Sequence, residues 1–188
     1  MSSLLSRRRA PLVLQMERAE CGAACLAMVL GAHGRWITLE EARARCATSR
    51  DGIDAAGLIA AAHSFGLNAV AVRKEPETLG ELSMPVVLHW CFDHFVVLQS
   101  IGRNSFTILD PARGSRKIGR KEFGESFTGL AIAFTPGEGF VASGRPQSVV
   151  SALLREAAQS RDALAVAFAV GLFSVVPALA RSEERRVG

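Results

Sequence analysis

The chain contains no tyrosine, and ten phenylalanines with two tryptophans bring its aromatic content to only 6% of 188 residues. With few aromatics and no basic stripe, there is neither a stacking platform for bases nor an electrostatic track for phosphates, so nucleic acid is set aside as a partner. Charge is also scarce: 22 basic against 18 acidic residues leave +4, and part of that excess sits at the ends, in Arg7, Arg8 and Arg9 and in Arg181, Arg185 and Arg186. The four cysteines, at 21, 25, 46 and 91, show neither paired Cys-x-x-Cys nor Cys/His spacing. That pattern argues against a zinc site and a secreted disulfide framework, and a reduced, cytoplasmic setting follows. No GxxxxGKS/T phosphate loop is present, so no ATP site and no cofactor are expected in this chain. After the N-terminal arginines, APLVLQMERAE is too short an apolar core for a signal peptide, and no export signal is read.

Hydrophobic residues are plentiful. At 49% of the chain they suffice for one core-bearing domain plus an appendage. The densest stretch is QMERAECGAACLAMVL, residues 15–30. Cys21, Ala24, Cys25, Met28 and Val29 recur at three- and four-residue steps, predicting an amphipathic helix with one buried face. Cys21 opens that helix, where unpaired backbone N–H groups and the positive end of the helix dipole favour an anionic sulfur. Gly22 leaves room beside the sulfur for a substrate backbone. Gln15, just upstream, is positioned to donate its side-chain N–H to a developing oxyanion together with the Cys21 backbone N–H. Cys25, a turn deeper and without a neighbouring glycine, reads as packing, and so does Cys46.

In chain order, a basic arm (1–10) precedes the first helix, which the Gly31–Gly34 region ends near His33. Thr38 and Glu41 have capping-box spacing and start a second helix running to about Cys46. A third helix lies within residues 49–66, with Gly52 in the turn before it and Gly66 as its stop. The period then changes: 67–72, 85–90, 94–101, 105–110 and 130–135 are short β-rich runs. Helices followed by a mostly antiparallel sheet make an α+β fold. A tight connection at Arg103-Asn104 predicts a hairpin, which sets the start of 94–101 beside the end of 105–110. His94 and Asp110 become neighbours in that arrangement. It suits a cysteine peptidase, with His94 as base and then acid, and Asp110 holding the imidazole tautomer. Singly, a strand-end histidine and a turn aspartate are ordinary structural residues. His33, His89 and Asp93 are weaker candidates for the same roles.

Taken together, Gln15-x5-Cys21-Gly22, His94-Phe-Val-Val-Leu, Asp110-Pro-Ala-x-Gly114, Glu122-Phe123 and Phe127-Thr128-Gly129 resemble the bacteriocin-processing, double-glycine-leader cysteine peptidase domain of peptidase-containing ABC transporters. The resemblance covers about residues 10–140. Residues 7–36 with Arg73-Lys74-Glu75-Pro76 resemble the branch that exports peptides with nitrile-hydratase-like or Nif11-like leaders. The resemblance implies a papain-like fold, with N-terminal helices packed on an antiparallel sheet. It also implies Cys21 as nucleophile, His94 as base, Asp110 as the orienting residue and Gln15 in the oxyanion hole. The implied activity is removal of a leader after a Gly-Gly-type motif, on the cytoplasmic side, coupled to export. Glu20 stands where many members carry aspartate and receives no catalytic role. A non-cleaving leader-binding module of the same fold and a papain-like thiol acyltransferase remain alternatives; the former lacks the cysteine that this chain keeps.

Beyond the peptidase domain (11–140), residues 141–162 read as a linker and amphipathic lead-in helix. Residues 163–180 carry no charge over 18 positions, the lower limit for a membrane span, and are read as the first transmembrane helix of a truncated ABC exporter. Residues 181–188, RSEERRVG, match what a common sequencing-library adapter encodes and are expected to be an artefactual basic tail. The expected location is the inner or cell membrane, with the peptidase domain cytoplasmic. The implied partners are the leader peptide of a ribosomally made precursor and the transporter's membrane and ATPase domains, in a dimeric exporter. ATP belongs to that absent ATPase domain alone.

Overall fold

The computed structural model describes residues 9–46 and 52–146. The basic arm up to residue 8, the lead-in helix, the apolar run 163–180 and the tail all fall outside them. Among the described residues no helix is long and apolar enough to cross a membrane.

Three helices come first: α1 (Cys21–Ala32), α2 (Leu39–Cys46) and α3 (Ala55–Ser64). Helices α2 and α3 each begin where a local polar side chain accepts from an otherwise free backbone N–H. The Thr38 hydroxyl accepts from Glu41 N–H at 3.1 Å, and the Asp54 carboxylate accepts from Gly57 N–H at 2.7 Å. Gly66, at φ +83°, ends α3 and turns the chain into the sheet. A short 3-10 turn, Arg18–Glu20, leads directly into α1.

Six antiparallel strands follow: β1 (Leu67–Arg73), β2 (Val86–Trp90), β3 (His94–Ile101), β4 (Ser105–Asp110), β5 (Gly114–Gly119) and β6 (Phe127–Pro136), in the order β1-β6-β2-β3-β4-β5. The central strands are covered on both faces, which explains the uninterrupted apolar runs of β2 and β3. Val87, Phe95 and Val97 join the cluster built around α1, including Cys25, Leu26, Val29 and Leu58. Their alternates Leu88, Val96 and Leu98 join a second cluster with Phe106, Ile108 and Phe123. Phe123 comes from α4 (Arg120–Ser126) and stacks on Phe106 at 3.8 Å.

Two expectations need correction. Helix α1 is buried on every side from Cys21 to Gly31, not along one face. Its small alanine and glycine side chains let α2 and α3 approach on one side while β3 packs on another. The strand list also lacked β5 and the first residues of β6. In β5 only Ile118 is buried, so this polar edge strand carries no apolar signature.

Candidate active site

Cys21 is the first residue of α1 and is only 6% exposed. The space where Gly22 would carry a Cβ is occupied, since that atom would lie 2.3 Å from Ile53 Cγ2. The room beside Gly22, expected for a substrate backbone, is instead taken by Ile53, which packs against the helix start and lines the cleft.

The imidazole and carboxylate come from the sheet. The β3–β4 register pairs Val97 with Leu109, and continuing it sets Asp110 opposite Val96. His94, two residues from Val96, is then Asp110's diagonal neighbour on the same face. His94 Nε2 lies 2.9 Å from Asp110 Oδ1, with side-chain exposures of 18% and 4%. The same carboxylate oxygen accepts from Ala112 N–H at 2.9 Å, so the turn that follows β4 aims it. With Nε2 engaged by Asp110, Nδ1 is the ring nitrogen left for Cys21. Burial alone would lower the His94 pKa. Hydrogen bonds and charge interactions with Cys21 and Asp110 outweigh it and hold the imidazole above its ordinary 6.5.

Gln15 is fastened to the other end of this arrangement, its backbone N–H donating to Pro111 C=O at 3.0 Å, one residue beyond Asp110. Its Oε1 is buried without a hydrogen-bond partner. Gln15, His94 and Asp110 line a cleft of about 260 Å³. Cys21 lies on an adjoining cleft of about 840 Å³ with Ile53, His89, Phe92 and Phe95. Arg18 and Asp93 line both, joined by a 2.8 Å ion pair.

The weaker candidates do other things. His89 Nδ1 lies 2.9 Å from the Thr128 hydroxyl, and burial lowers its pKa. His33 packs edge-on against Phe140 at 6.1 Å. Burial, then the neighbouring Cys21, Asp110 and Cys46, push the Cys25 thiol well up, and burial pushes Cys46 to about 11. Both behave as apolar filling. Among the described residues no group of histidines, cysteines and carboxylates could hold a metal ion.

Glu20, assigned no catalytic role from sequence, is deeply buried. It is 1% exposed, and its Oε2 accepts from Met16 N–H at 2.6 Å and Glu17 N–H at 2.9 Å. Its Oε1 faces Arg43 of α2 at 3.0 Å. The available signal was the Glu17-x-x-Glu20 capping-box spacing.

A cysteine at a buried helix start facing an imidazole and carboxylate from an antiparallel sheet is the layout of a papain-like cysteine peptidase. The chain belongs to the Peptidase C39 family, whose model matches residues 9–139. It is 46% identical over 136 residues to the probable microcin-H47 secretion/processing ATP-binding protein MchF of Escherichia coli, covering 72% of this chain and 20% of that protein. It is 43% identical over 134 residues to the colicin V secretion/processing ATP-binding protein CvaB of the same species, covering 71% and 19%. The chain thus spans about a fifth of the length of these curated relatives. Among solved structures, a double glycine motif protease from an AMS/PCAT transporter, in complex with the leader peptide, matches with TM-score 0.67 and 45% identity. That match covers 69% of this chain and 94% of the other. The peptidase domain of Streptococcus ComA, a bifunctional ABC transporter, matches with TM-score 0.64 and 26% identity, covering 68% and 99%.

Proposed function

We propose that this chain is a cysteine endopeptidase that removes the leader of a bacteriocin or related ribosomal peptide after a Gly-Gly-type motif, in step with export by an ABC transporter. One observation carries the reading: a single imidazole, His94, lies 2.9 Å from the Asp110 carboxylate, and its interactions with Cys21 and Asp110 raise its pKa above the ordinary 6.5 against the effect of burial.

The reaction follows from those contacts. His94 Nδ1 takes the thiol proton as Cys21 Sγ attacks the carbonyl carbon of the second glycine, and the imidazolium forms beside Asp110. The Gln15 side-chain N–H and the Cys21 backbone N–H receive the oxyanion. When the C–N bond breaks, His94 returns the proton to the leaving amine, and the leader stays on sulfur as a thioester. Water then attacks with His94 as base, releasing the leader carboxylate and the free thiol. A Gly-Gly motif suits a site that admits only residues without bulk beside the scissile bond. Affinity must then come from elsewhere on the leader, as an apolar helix face in a groove would supply. The uncharged run 163–180 supports attachment to a membrane, with the peptidase on its cytoplasmic face and the exporter's membrane and ATPase domains as partners in a dimer.

The test incubates the 188-residue chain, purified in mild detergent, with a synthetic amphipathic leader peptide containing Gly-Gly. Mass spectrometry should find cleavage after the second glycine, and Cys21→Ala should lower the rate by about 10⁴-fold or more. Saturable binding without cleavage by the wild type would replace this reading with a binding-only module. Product carrying an added amine in preference to water would replace it with an acyltransferase.

A further inference from the structure

Glu20 is one of two buried polar or charged residues in the described chain, the other being Asp110. The proposed reaction gives Asp110 a task and leaves Glu20 without one. A carboxylate 1% exposed is costly to bury unless charge and hydrogen bonds compensate it, so its partners indicate what it holds. Both N–H donors to Oε2, from Met16 and Glu17, belong to the two residues after Gln15. Arg43, on α2, provides the opposing charge at 3.0 Å. On the other side, Gln15 N–H is tied to Pro111 C=O at 3.0 Å. The segment that carries Gln15 is therefore pinned at both ends, to the Asp110 turn and to the residue immediately preceding Cys21.

We propose that Glu20 is a positioning residue which, through the Met16 and Glu17 N–H groups, holds the Gln15 amide where the oxyanion develops; this rests on the peptidase reading above. Glu20 itself touches neither the sulfur nor the substrate. Its effect runs through Gln15 and leaves the Cys21–His94 pair alone.

That separation supplies the test. Alkylation of Cys21 by iodoacetamide requires the thiol and imidazole but no oxyanion hole, whereas leader cleavage requires all three. In the 188-residue chain, Glu20→Ala should lower kcat about 10- to 100-fold, leave KM for the leader within about twofold, and leave the alkylation rate within about twofold. Gln15→Ala should show the same pattern. The double variant should be no slower than the worse single one, because both remove the same hydrogen bond. Glu20→Gln keeps an acceptor for the two N–H groups and should recover most of the rate. It also serves as the informative variant if Glu20→Ala does not fold. Wild-type kcat in Glu20→Ala, a parallel fall in alkylation, or losses that multiply in the double variant would each overturn the proposal while leaving the peptidase reading intact. Absence of cleavage by the wild type would overturn both.

Discussion

The two walls of the cleft are built by different physics. The cysteine wall is a helix start sunk in apolar packing, with α1 buried from Cys21 to Gly31 and Ile53 filling the space beside Gly22. The imidazole wall is a hairpin whose reactive groups are aimed by polar contacts: His94 to Asp110, and Asp110 to Ala112 N–H. Its leading turn even accepts unfavourable backbone, with Cys91 at φ +49° and Phe92 at φ +64°, while Phe92 stands 82% exposed over the cleft. Left-handed conformations of this kind cost about 1–2 kcal/mol per residue. The cysteine is thus placed by shape and the imidazole by hydrogen bonds. A change on the first wall should damage the fold, and one on the second should damage chemistry first.

Apart from removal of the Cys21 sulfur itself, the largest effect expected is at Asp110. Asp110→Asn keeps shape and an oxygen but removes the charge that favours the imidazolium, and should lower kcat about 10²-fold, equivalent to about 2.7 kcal/mol. The His94 midpoint, followed by NMR, should fall from its raised value. The sign for stability follows from that direction. A histidine whose folded pKa is raised contributes stability that is fully present below its ordinary 6.5 and is lost as pH rises through the folded value. Urea melts should therefore show the stability deficit of Asp110→Asn as largest below 6.5 and shrinking at higher pH. An unmoved His94 midpoint would break the claim that polar contacts set this wall.

On the cysteine wall, Gly22→Ala would place its Cβ 2.3 Å from Ile53 Cγ2, forcing Ile53 toward the cleft. Overpacking of this kind costs about 1–3 kcal/mol, and Tm should fall by about 2–4 °C for each. Adding Ile53→Ala, which deletes the offending methyl, should recover part of the loss. A wild-type Tm for Gly22→Ala, measured by calorimetry, would erase the distinction between the walls.

The difference between the walls also explains what could be read in advance. The tight link at Arg103-Asn104 pairs β3 with β4, but it is the one-residue bulge between Leu98 and Ser100 that brings His94 and Asp110 onto one face, and no turn signal announces that bulge. The apolar runs of β2 and β3 marked those strands. The all-round burial of α1 depends on which elements close over it, and a three-and-four spacing reports only that some face is apolar. Ile53's place beside Gly22 and Glu20's burial under Arg43 bring together residues from separate helices and loops. Nothing in residues 15–22 alone announces either contact. Edge strand β5, with alternating polar residues and one buried isoleucine, resembles a loop in composition.

The smallest effect is expected where the walls meet at the rim. Arg18 precedes the cysteine and Asp93 precedes the histidine, and their 2.8 Å ion pair, with side chains 90% and 58% exposed, lies on the lining that both clefts share. Water and salt screen such a pair, so Arg18→Ala should change stability by no more than about 0.5 kcal/mol, with a difference that vanishes in high salt. Leader cleavage should stay within about threefold of wild type, because neither wall depends on the other for its own geometry. A loss of tenfold or more, reversed by the charge-swapped pair Arg18→Asp with Asp93→Arg, would show that the rim holds the walls in register. The cysteine and imidazole would then be positioned as one unit, and the division between packing and polar control would apply to each wall separately but not to their spacing.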